Sequence, residues 1–318
     1  MHNFSELKTK VSRVLQRSTD TDYIADVIPD FINYSHKFLA DSFDYFQELE
    51  ETYNFSTVDG TANYYMPLWF NKPLRIYDLT NKKLIKIITQ EEYFDSNISN
   101  IADATEGAPT NARMYGVKGI NAEISSATIA KVKSSSALDT AGAKVRVEGY
   151  LDSGKTIIGY EDITISTSTP TTFVSGSISF YEFIHVGKSV DTTGTITIAN
   201  SADATIASLG PTDRVARYKR MILGLIPDAV YSIRVLLKKK EQKLVNDNDY
   251  PFMDADDFLI THSAAYGFAQ EKETVERSVQ LFQKSKELLG LILQNQTNRL
   301  GPDYQHKMDS IFLQSHRR

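Results

Sequence analysis

A change of composition in the middle of the chain limits what it can fold into more than any other feature. Residues 119–212 are rich in Ser, Thr, Gly and Ala, contain few Lys or Arg, and alternate as short strands do. The segments on both sides are aromatic, charged and dominated by helical spacing. Because closure entropy grows slowly with loop length, an exposed loop tolerates such an insertion. The pattern therefore predicts a discontinuous body with an inserted β module, and it disfavours a single-fold enzyme.

The predicted fold class is α+β, and the chain divides into four segments. Residues 1–118 give the first part of a mostly helical body with small β-hairpins, and residues 213–299 give its second part, with a long helix. Residues 119–212 give an all-β sandwich of the immunoglobulin-like type. Residues 300–318 give a C-terminal tail that binds a partner.

Helical spacing of apolar residues predicts two helices near the N-terminus. The first begins at Phe4, next to Asn3 and Glu6, which have the spacing of a capping box. The second ends near Leu49. Pro29 fits its first turn, because a proline there loses no intrahelical hydrogen bond.

Alternation of apolar and polar residues predicts strands in the body and in the insert. In the body, Asp59-Gly60 and Thr80-Asn81 are turn signals, so two hairpins are expected. The hairpin strands are Thr52–Ser56 with Asn63–Met66, and Leu74–Asp78 with Leu84–Ile88. The strands predicted in the insert are Glu123–Val132, Lys144–Tyr150, Lys155–Tyr160, Ile163–Thr167, Ser177–Val186, Thr195–Ala199 and Ala204–Leu209.

The composition excludes several kinds of site. The chain has no Cys among its 318 residues, which removes disulfides, thiolate nucleophiles, zinc–cysteine sites and iron–sulfur clusters. Its formal net charge of −5 provides no overall basic field that would attract nucleic acid. The N-terminus lacks the apolar region of a signal peptide, and the longest apolar runs are too short for a membrane span. We therefore expect folding in a reducing cytosol and no membrane contact.

No constellation in the sequence predicts catalysis, a cofactor or a metal, so we expect a protein that is not an enzyme. Asp254, Asp256 and Asp257 precede a long helix, where carboxylates cap free N–H groups and complement the helix dipole. Asp247 and Asp249 resemble a calcium loop in part. That loop's Gly at the sixth position and Glu at the twelfth are missing, which favours a polar turn over an ion site. The 6 His residues lack paired metal-ligand spacing.

Two basic segments are candidate contacts with a partner. The densest basic run is either a solvated strand end or a contact with a nucleic-acid backbone or an acidic partner. This run consists of Lys238, Lys239, Lys240 and Lys243. The C-terminal tail is apolar and then basic, so burial of its apolar side chains on a partner can offset the entropy lost on ordering. Its candidate binding residues are Ile311, Phe312, Leu313, Arg317 and Arg318.

Four motifs outside the insert together resemble a known family. The first is Phe4-Ser-Glu-Leu-Lys-Thr-Lys-Val followed by Ile28-Pro-Asp-Phe-Ile-Asn-Tyr-Ser. The others are Gly107-Ala-Pro-Thr-Asn-Ala-Arg-Met-Tyr-Gly-Val-Lys-Gly, Leu225-Ile-Pro-Asp-Ala-Val-Tyr-Ser-Ile-Arg-Val and Leu244-Val-Asn-Asp-Asn-Asp-Tyr-Pro-Phe. In their order and spacing they resemble the head-to-tail adaptor (connector) proteins of tailed bacteriophages.

The resemblance implies an architectural role at the neck of a virion that is assembled in the host cytoplasm. Such adaptors bind beneath the portal protein as a homo-oligomeric ring, usually a dodecamer, and extend the DNA channel, through which DNA passes without specific binding. They present a docking surface for the next neck or tail protein. The resemblance also implies that the C-terminal tail reaches the portal. The inserted sandwich departs from the simple family pattern, and we expect it on the outside of the ring.

Two other functions stay open on the sequence alone. The chain is alternatively another phage tail or fibre-anchoring structural protein that carries the same sandwich. A third hypothesis is a carbohydrate-binding surface protein, in which the sandwich presents an aromatic platform, although the alternation of these aromatic residues favours core packing. The platform residues are Tyr150, Tyr160, Phe180 and Tyr181.

Overall fold

The computed structural model describes residues 1–89, 91, 92, 106–122, 124, 126–270 and 275–298. Within these residues the chain forms fourteen β-strands in three sheets and four α-helices. They belong to two compact units. The helical unit consists of Met1–Glu51 and the described residues from Lys238 onward, and the strand unit consists of Thr52–Leu237.

The helical unit is built around one central helix. Its α-helices are α1 (Phe4–Val14), α2 (Ile28–Ser42), α3 (Asp256–Gln270) and α4 (Val275–Asn298), with a π-helix at Tyr23–Val27 and a 3₁₀-helix at Gln47–Leu49. Helix α3 packs against each of the other three, and most of its residues are buried. A helix that is apolar on nearly all sides must be enclosed by neighbours, which explains this arrangement.

Local signals predicted the starts of the first two α-helices. The side chain of Asn3 accepts a hydrogen bond from the Glu6 N–H, and the Glu6 carboxylate accepts one from the Asn3 N–H, so the capping box is present. Pro29 lies in the first turn of α2, where no intrahelical bond is lost.

The two ends of the sequence are joined inside the helical unit by hydrogen bonds to one loop. The Asn33 side chain on α2 donates to the Leu244 carbonyl at 3.0 Å and accepts from the Leu244 N–H at 2.8 Å. At the start of α1, the Phe4 N–H donates to the Asp249 carbonyl at 2.8 Å. The loop from 244 to 252 is therefore fixed to both N-terminal helices.

The strand unit contains the three sheets, except for the first two residues of the first strand and the last two residues of the last strand. Its strands are β1 (Glu50–Ser56), β2 (Asn63–Tyr65), β3 (Phe70–Asp78), β4 (Lys83–Ile87), β5 (Asn111–Lys118), β6 (Thr128–Ser134), β7 (Lys144–Tyr150), β8 (Ile158–Thr164), β9 (Val174–Phe180), β10 (Glu182–Lys188), β11 (Ile196–Ala199), β12 (Thr205–Leu209), β13 (Tyr218–Gly224) and β14 (Ser232–Lys239), the last of which ends in the helical unit. The largest sheet has seven strands in the order β1-β14-β3-β4-β5-β13-β2.

The prediction of a mostly helical body with small hairpins is wrong, because the strands of the body pair across long distances into the seven-stranded sheet. Strands β3 and β4 form the second predicted hairpin. Strands β1 and β2, for which Asp59-Gly60 predicts pairing, lie at opposite ends of the strand order. An isolated two-stranded hairpin buries too little apolar surface to be stable, whereas pairing of seven strands buries more of it.

Aromatic side chains bring the two edge strands of this sheet together. The sheet is curled, and the rings of Phe55 on β1 and Tyr64 on β2 lie 4.9 Å apart between centroids. Tyr53 on β1 also meets the ring of Trp69, which directly precedes β3, edge to face at 6.2 Å. The rings of Tyr53, Phe55 and Tyr64 pack against the apolar core of this sheet.

The insert forms a two-sheet sandwich with sheets β10-β7-β8 and β12-β11-β6-β9. Two predicted strands that meet near Tyr160 are one strand, β8, whereas the predicted strand Ser177–Val186 is two strands that belong to different sheets and are separated at Tyr181. Glu161 on β8 accepts hydrogen bonds from the N–H groups of Ser177 and Ile178 on β9, at 2.6 and 3.1 Å. This carboxylate joins the adjacent edges of the two sheets.

The core of the sandwich continues into the flanking strands. Tyr218 on β13 is buried in the same apolar cluster as Phe180 and Phe183, and Tyr65 and Leu68 pack against that cluster. The sandwich and the seven-stranded sheet therefore share apolar packing within one unit. The domain boundaries that the sequence predicts, at residues 118, 212 and 299, stay a prediction.

We expect Tyr218→Ala to lower the free energy of unfolding by about 3–5 kcal/mol, the usual cost of deleting a buried aromatic ring. Tyr218→Phe should cost roughly 1–3 kcal/mol, because the Tyr218 hydroxyl accepts from the Ser208 N–H and donates to its carbonyl. Urea unfolding followed by circular dichroism measures both. The exposed Tyr181 supplies the control, and Tyr181→Phe should change stability by less than about 0.5 kcal/mol. Equal stabilities of Tyr218→Ala and the parent chain would show that this shared packing is unimportant.

Candidate functional site

The candidate portal-binding residues lie outside the part of the chain that the structure describes. They are Ile311, Phe312, Leu313, Arg317 and Arg318. The described candidate contacts are therefore those of the lysine run at the end of β14.

One of the four candidate lysines is in the core of the helical unit. The side chain of Lys238 is 2% exposed, and its Nζ donates hydrogen bonds to the carbonyls of Ala40 and Phe43, the second at 2.6 Å. The Asp44 carboxylate lies 4.0 Å from the same nitrogen. Lys238 thus satisfies carbonyl groups at the C-terminal end of α2, which also places a cation where the helix dipole favours one.

The other lysines of the run differ from Lys238 in exposure. Lys239 is half-buried and forms an ion pair with Glu51 at 3.6 Å. Lys240 and Lys243 are exposed. These two lysines, with Lys239 at their edge, form the part of the run that a phosphate or an acidic side chain can reach.

The burial of Lys238 had no signal in the sequence. Residues Ile233, Val235 and Leu237 alternate as the inward side of β14, so alternation places Lys238 on the outward side. Its burial depends on carbonyl groups almost two hundred residues earlier in the chain, a separation that periodicity does not address.

The Asn-Asp loop is a hydrogen-bonded turn. One carboxylate oxygen of Asp249 accepts from the N–H groups of Val245 and Asn246, each at 2.7 Å. Desolvation raises the pKa of Asp249, but these hydrogen bonds outweigh it and hold the pKa below its usual range. Asp247 is paired with Lys8 at 2.6 Å. Among the described residues, no group of three or more His, Asp or Glu side chains has the geometry to hold a metal ion.

Two of the histidines are buried in the helical unit. His36 accepts a hydrogen bond at Nε2 from the Phe252 N–H at 3.1 Å, and His262 Nδ1 lies 2.9 Å from the Ser35 hydroxyl. Burial lowers the pKa of each to about 4, because the charged imidazolium is poorly solvated there. Both side chains are therefore neutral at pH 7.

The Ser–His contact in the core does not have the arrangement of a hydrolase. The Ser35 hydroxyl donates to the Phe31 carbonyl at 2.8 Å, so its hydrogen is already used. Aromatic rings surround His262, with centroids of Phe38 and Phe258 at 4.8 and 5.0 Å. In the described part of the chain, no carboxylate orients this imidazole, as a catalytic triad requires. The group is a satisfied polar cluster inside an apolar core.

The four aromatic residues of the sandwich separate into core and surface. Phe180 is fully buried, as alternation favoured. Tyr150 is half-buried, whereas Tyr160 and Tyr181 are exposed. The outer face of the sheet β10-β7-β8 is therefore an exposed surface that carries aromatic rings.

No protein-family model and no curated protein matches this chain. In the described residues, no helix combines the length and the apolar character needed to cross a membrane.

We expect the stability of the helical unit to fall as the pH decreases from 6.5 to about 4. The pKa of both buried histidines is lowered on folding, so the unfolded chain takes up protons first, and the stability present above pH 6.5 is lost through this window. Each proton contributes a slope of at most roughly 1.4 kcal/mol per pH unit. Urea unfolding at 222 nm between pH 7.5 and 4.5 measures it. His262→Phe should reduce the slope, and equal slopes in this variant and in the parent chain would contradict the assignment.

We expect Lys238→Met to destabilise the protein by roughly 1–3 kcal/mol. The substitution keeps the apolar stem but leaves the Ala40 and Phe43 carbonyls without their buried donor. Lys240→Met is the matched control and should change stability by less than about 0.5 kcal/mol, since Lys240 is exposed. Urea midpoints compare the two variants. A Lys238→Met protein as stable as the parent would mean that these hydrogen bonds contribute no net stability.

Proposed function

We propose that this chain is a head-to-tail adaptor of a tailed bacteriophage, a virion structural protein that forms a ring beneath the portal. The ring extends the DNA channel and docks the tail or the next neck component. This role needs no catalytic group. It needs subunits that repeat a heterologous contact around an axis until the ring closes.

The observation that supports the proposal best is that the four resembling motifs meet in two hydrogen-bonded pairs. The opening helices contact the Asn-Asp loop through Phe4, Ser5 and Asn33. The Gly-x-Pro loop contacts the proline–aspartate motif, where the Gly107 N–H donates to the Ile226 carbonyl at 2.8 Å. Segments that resemble the family in their order along the chain are therefore neighbours in space within each unit.

The surface charges are compatible with a channel and a docking surface. A net charge of −5 attracts no DNA backbone overall, so DNA can slide past. Lys240 and Lys243 are the exposed residues that we propose contact an acidic partner or pass near the phosphate backbone. The C-terminal tail is the proposed portal contact, since its apolar residues offer burial and its two arginines offer ion pairs.

We expect the full-length protein to assemble with the portal of its own phage into a ring that electron microscopy and mass photometry detect. Phe312→Asp should abolish this assembly by placing a charge in an apolar contact, while Gln314→Ala should leave it intact. The mixture of the unmodified chain with portal rings distinguishes the two hypotheses, because a different tail or fibre-anchoring protein would not bind the portal. Absence of a portal complex with the unmodified chain would refute the proposal.

A further inference from the structure

The outer face of the sheet β10-β7-β8 brings a specific set of side chains into neighbouring rows. Strand pairing sets Tyr160 opposite Glu148, and Glu148 opposite His185. Their neighbours along the strands, Val147 next to Glu148 and Val186 next to His185, are fully buried on the inner side. Tyr160, Glu148 and His185 therefore form one row across three strands on the solvent side.

An adjacent row extends this surface with apolar and aromatic groups. Ile158 pairs with Tyr150, and Tyr150 pairs with Glu182. Ile158 is 56% exposed and Tyr150 is half-buried. Rows two residues apart on a strand are separated by roughly 7 Å. The two rows together place the aromatic and aliphatic groups Tyr160, Ile158 and Tyr150 beside the polar groups Glu148, His185 and Glu182.

The charges at this face, apart from the Glu148 carboxylate, are paired with neighbouring side chains. Arg146 donates to both carboxylate oxygens of Asp162, at 2.8 and 2.7 Å, which is a bidentate fork. Glu182 forms ion pairs with Lys118 and Lys155, at 3.2 and 2.5 Å. Because the charges compensate one another, the face has no excess of one sign that would select a polyanion or a charged lipid surface.

The ring of Tyr160 contacts Arg146 on one side and is exposed to solvent on the other. The Arg146 guanidinium lies over the Tyr160 ring, 4.5 Å from its centroid, and restricts that ring from one side. Tyr160 nevertheless is 59% exposed. Glu148 and His185 beside the ring are half-buried, and their side chains offer an acceptor and a donor–acceptor pair.

We propose that this face binds a neutral glycan built of hexopyranose units. A pyranose ring has an apolar C–H side, which fits the open side of an aromatic ring, and hydroxyl groups at its edge, which pair with carboxylate and imidazole groups. Tyr160 supplies the ring, Glu148 and His185 supply the polar partners, and Ile158 with Tyr150 extends the contact to a second sugar unit. The inference goes beyond the adaptor role and does not depend on it.

The test uses the full-length protein and immobilised neutral oligosaccharides of glucose, galactose and N-acetylglucosamine, about six units long, at protein concentrations up to the millimolar range. We expect binding to at least one of them. Tyr160→Ala should weaken that binding by more than about tenfold, and Glu148→Gln should weaken it by roughly three- to tenfold. Absence of binding to every oligosaccharide would overturn the proposal.

Two controls distinguish a sugar site from a general loss of folding and from a contact between two copies of the chain. Leu138→Ala removes an exposed apolar side chain elsewhere in the sandwich and should leave binding unchanged. Thermal unfolding of all variants should match the parent, since the substituted residues are on the surface. Binding that persists in Tyr160→Ala would place the sugar site elsewhere and overturn the assignment. If Tyr160→Ala instead abolishes a concentration-dependent dimer, with no sugar bound by any variant, the face is a contact between two copies and the proposal fails.

Discussion

The helical unit depends on one constraint, which is that its two halves are far apart in the sequence and must find each other through backbone groups. Asn33 meets this requirement by bonding both the N–H and the carbonyl of Leu244, as a neighbouring strand would. His36 does the same for one group of Phe252. Without these side chains, loop groups next to an apolar core would lose water and gain no partner, which is costly. The polar residues of α2 are therefore as necessary to this core as its apolar ones.

The sequence predicted what is decided locally and missed what is decided at a distance. A capping box and a proline in a first turn act within a few residues, so Asn3, Glu6 and Pro29 gave correct helix starts. The partner of β1 is β14, which no local pattern reveals, and the turn signal at Asp59-Gly60 does not lead to pairing of its flanking strands. Local patterns therefore predicted a helical body with isolated hairpins. In the structure, long-range pairing joins the short strands of the body into one sheet.

The same distinction applies to the candidate sites. A run of lysines is visible in a sequence, yet only the fold shows that Lys238 is a core residue and that Lys240 is on the surface. Alternation correctly placed Phe180 in the sandwich core. It did not reveal that the chain breaks at Tyr181, so that the strand after it belongs to the other sheet. The row of Tyr160, Glu148 and His185 exists only through strand register. Sequence spacing alone gives Glu148 no role.

The bond between Asn33 and Leu244 has a consequence for biosynthesis. The two residues are 211 positions apart, so at about 5–20 residues per second a ribosome needs roughly 10–40 s to deliver the second after the first. During that interval the nascent N-terminal helices lack the central helix that encloses their apolar faces, while the ribosome is still making the strands of the sandwich. Chaperones that shield exposed apolar helices would therefore act on the N-terminal helices of this protein. The time for which they are needed is set by the synthesis of the residues between Asn33 and Leu244.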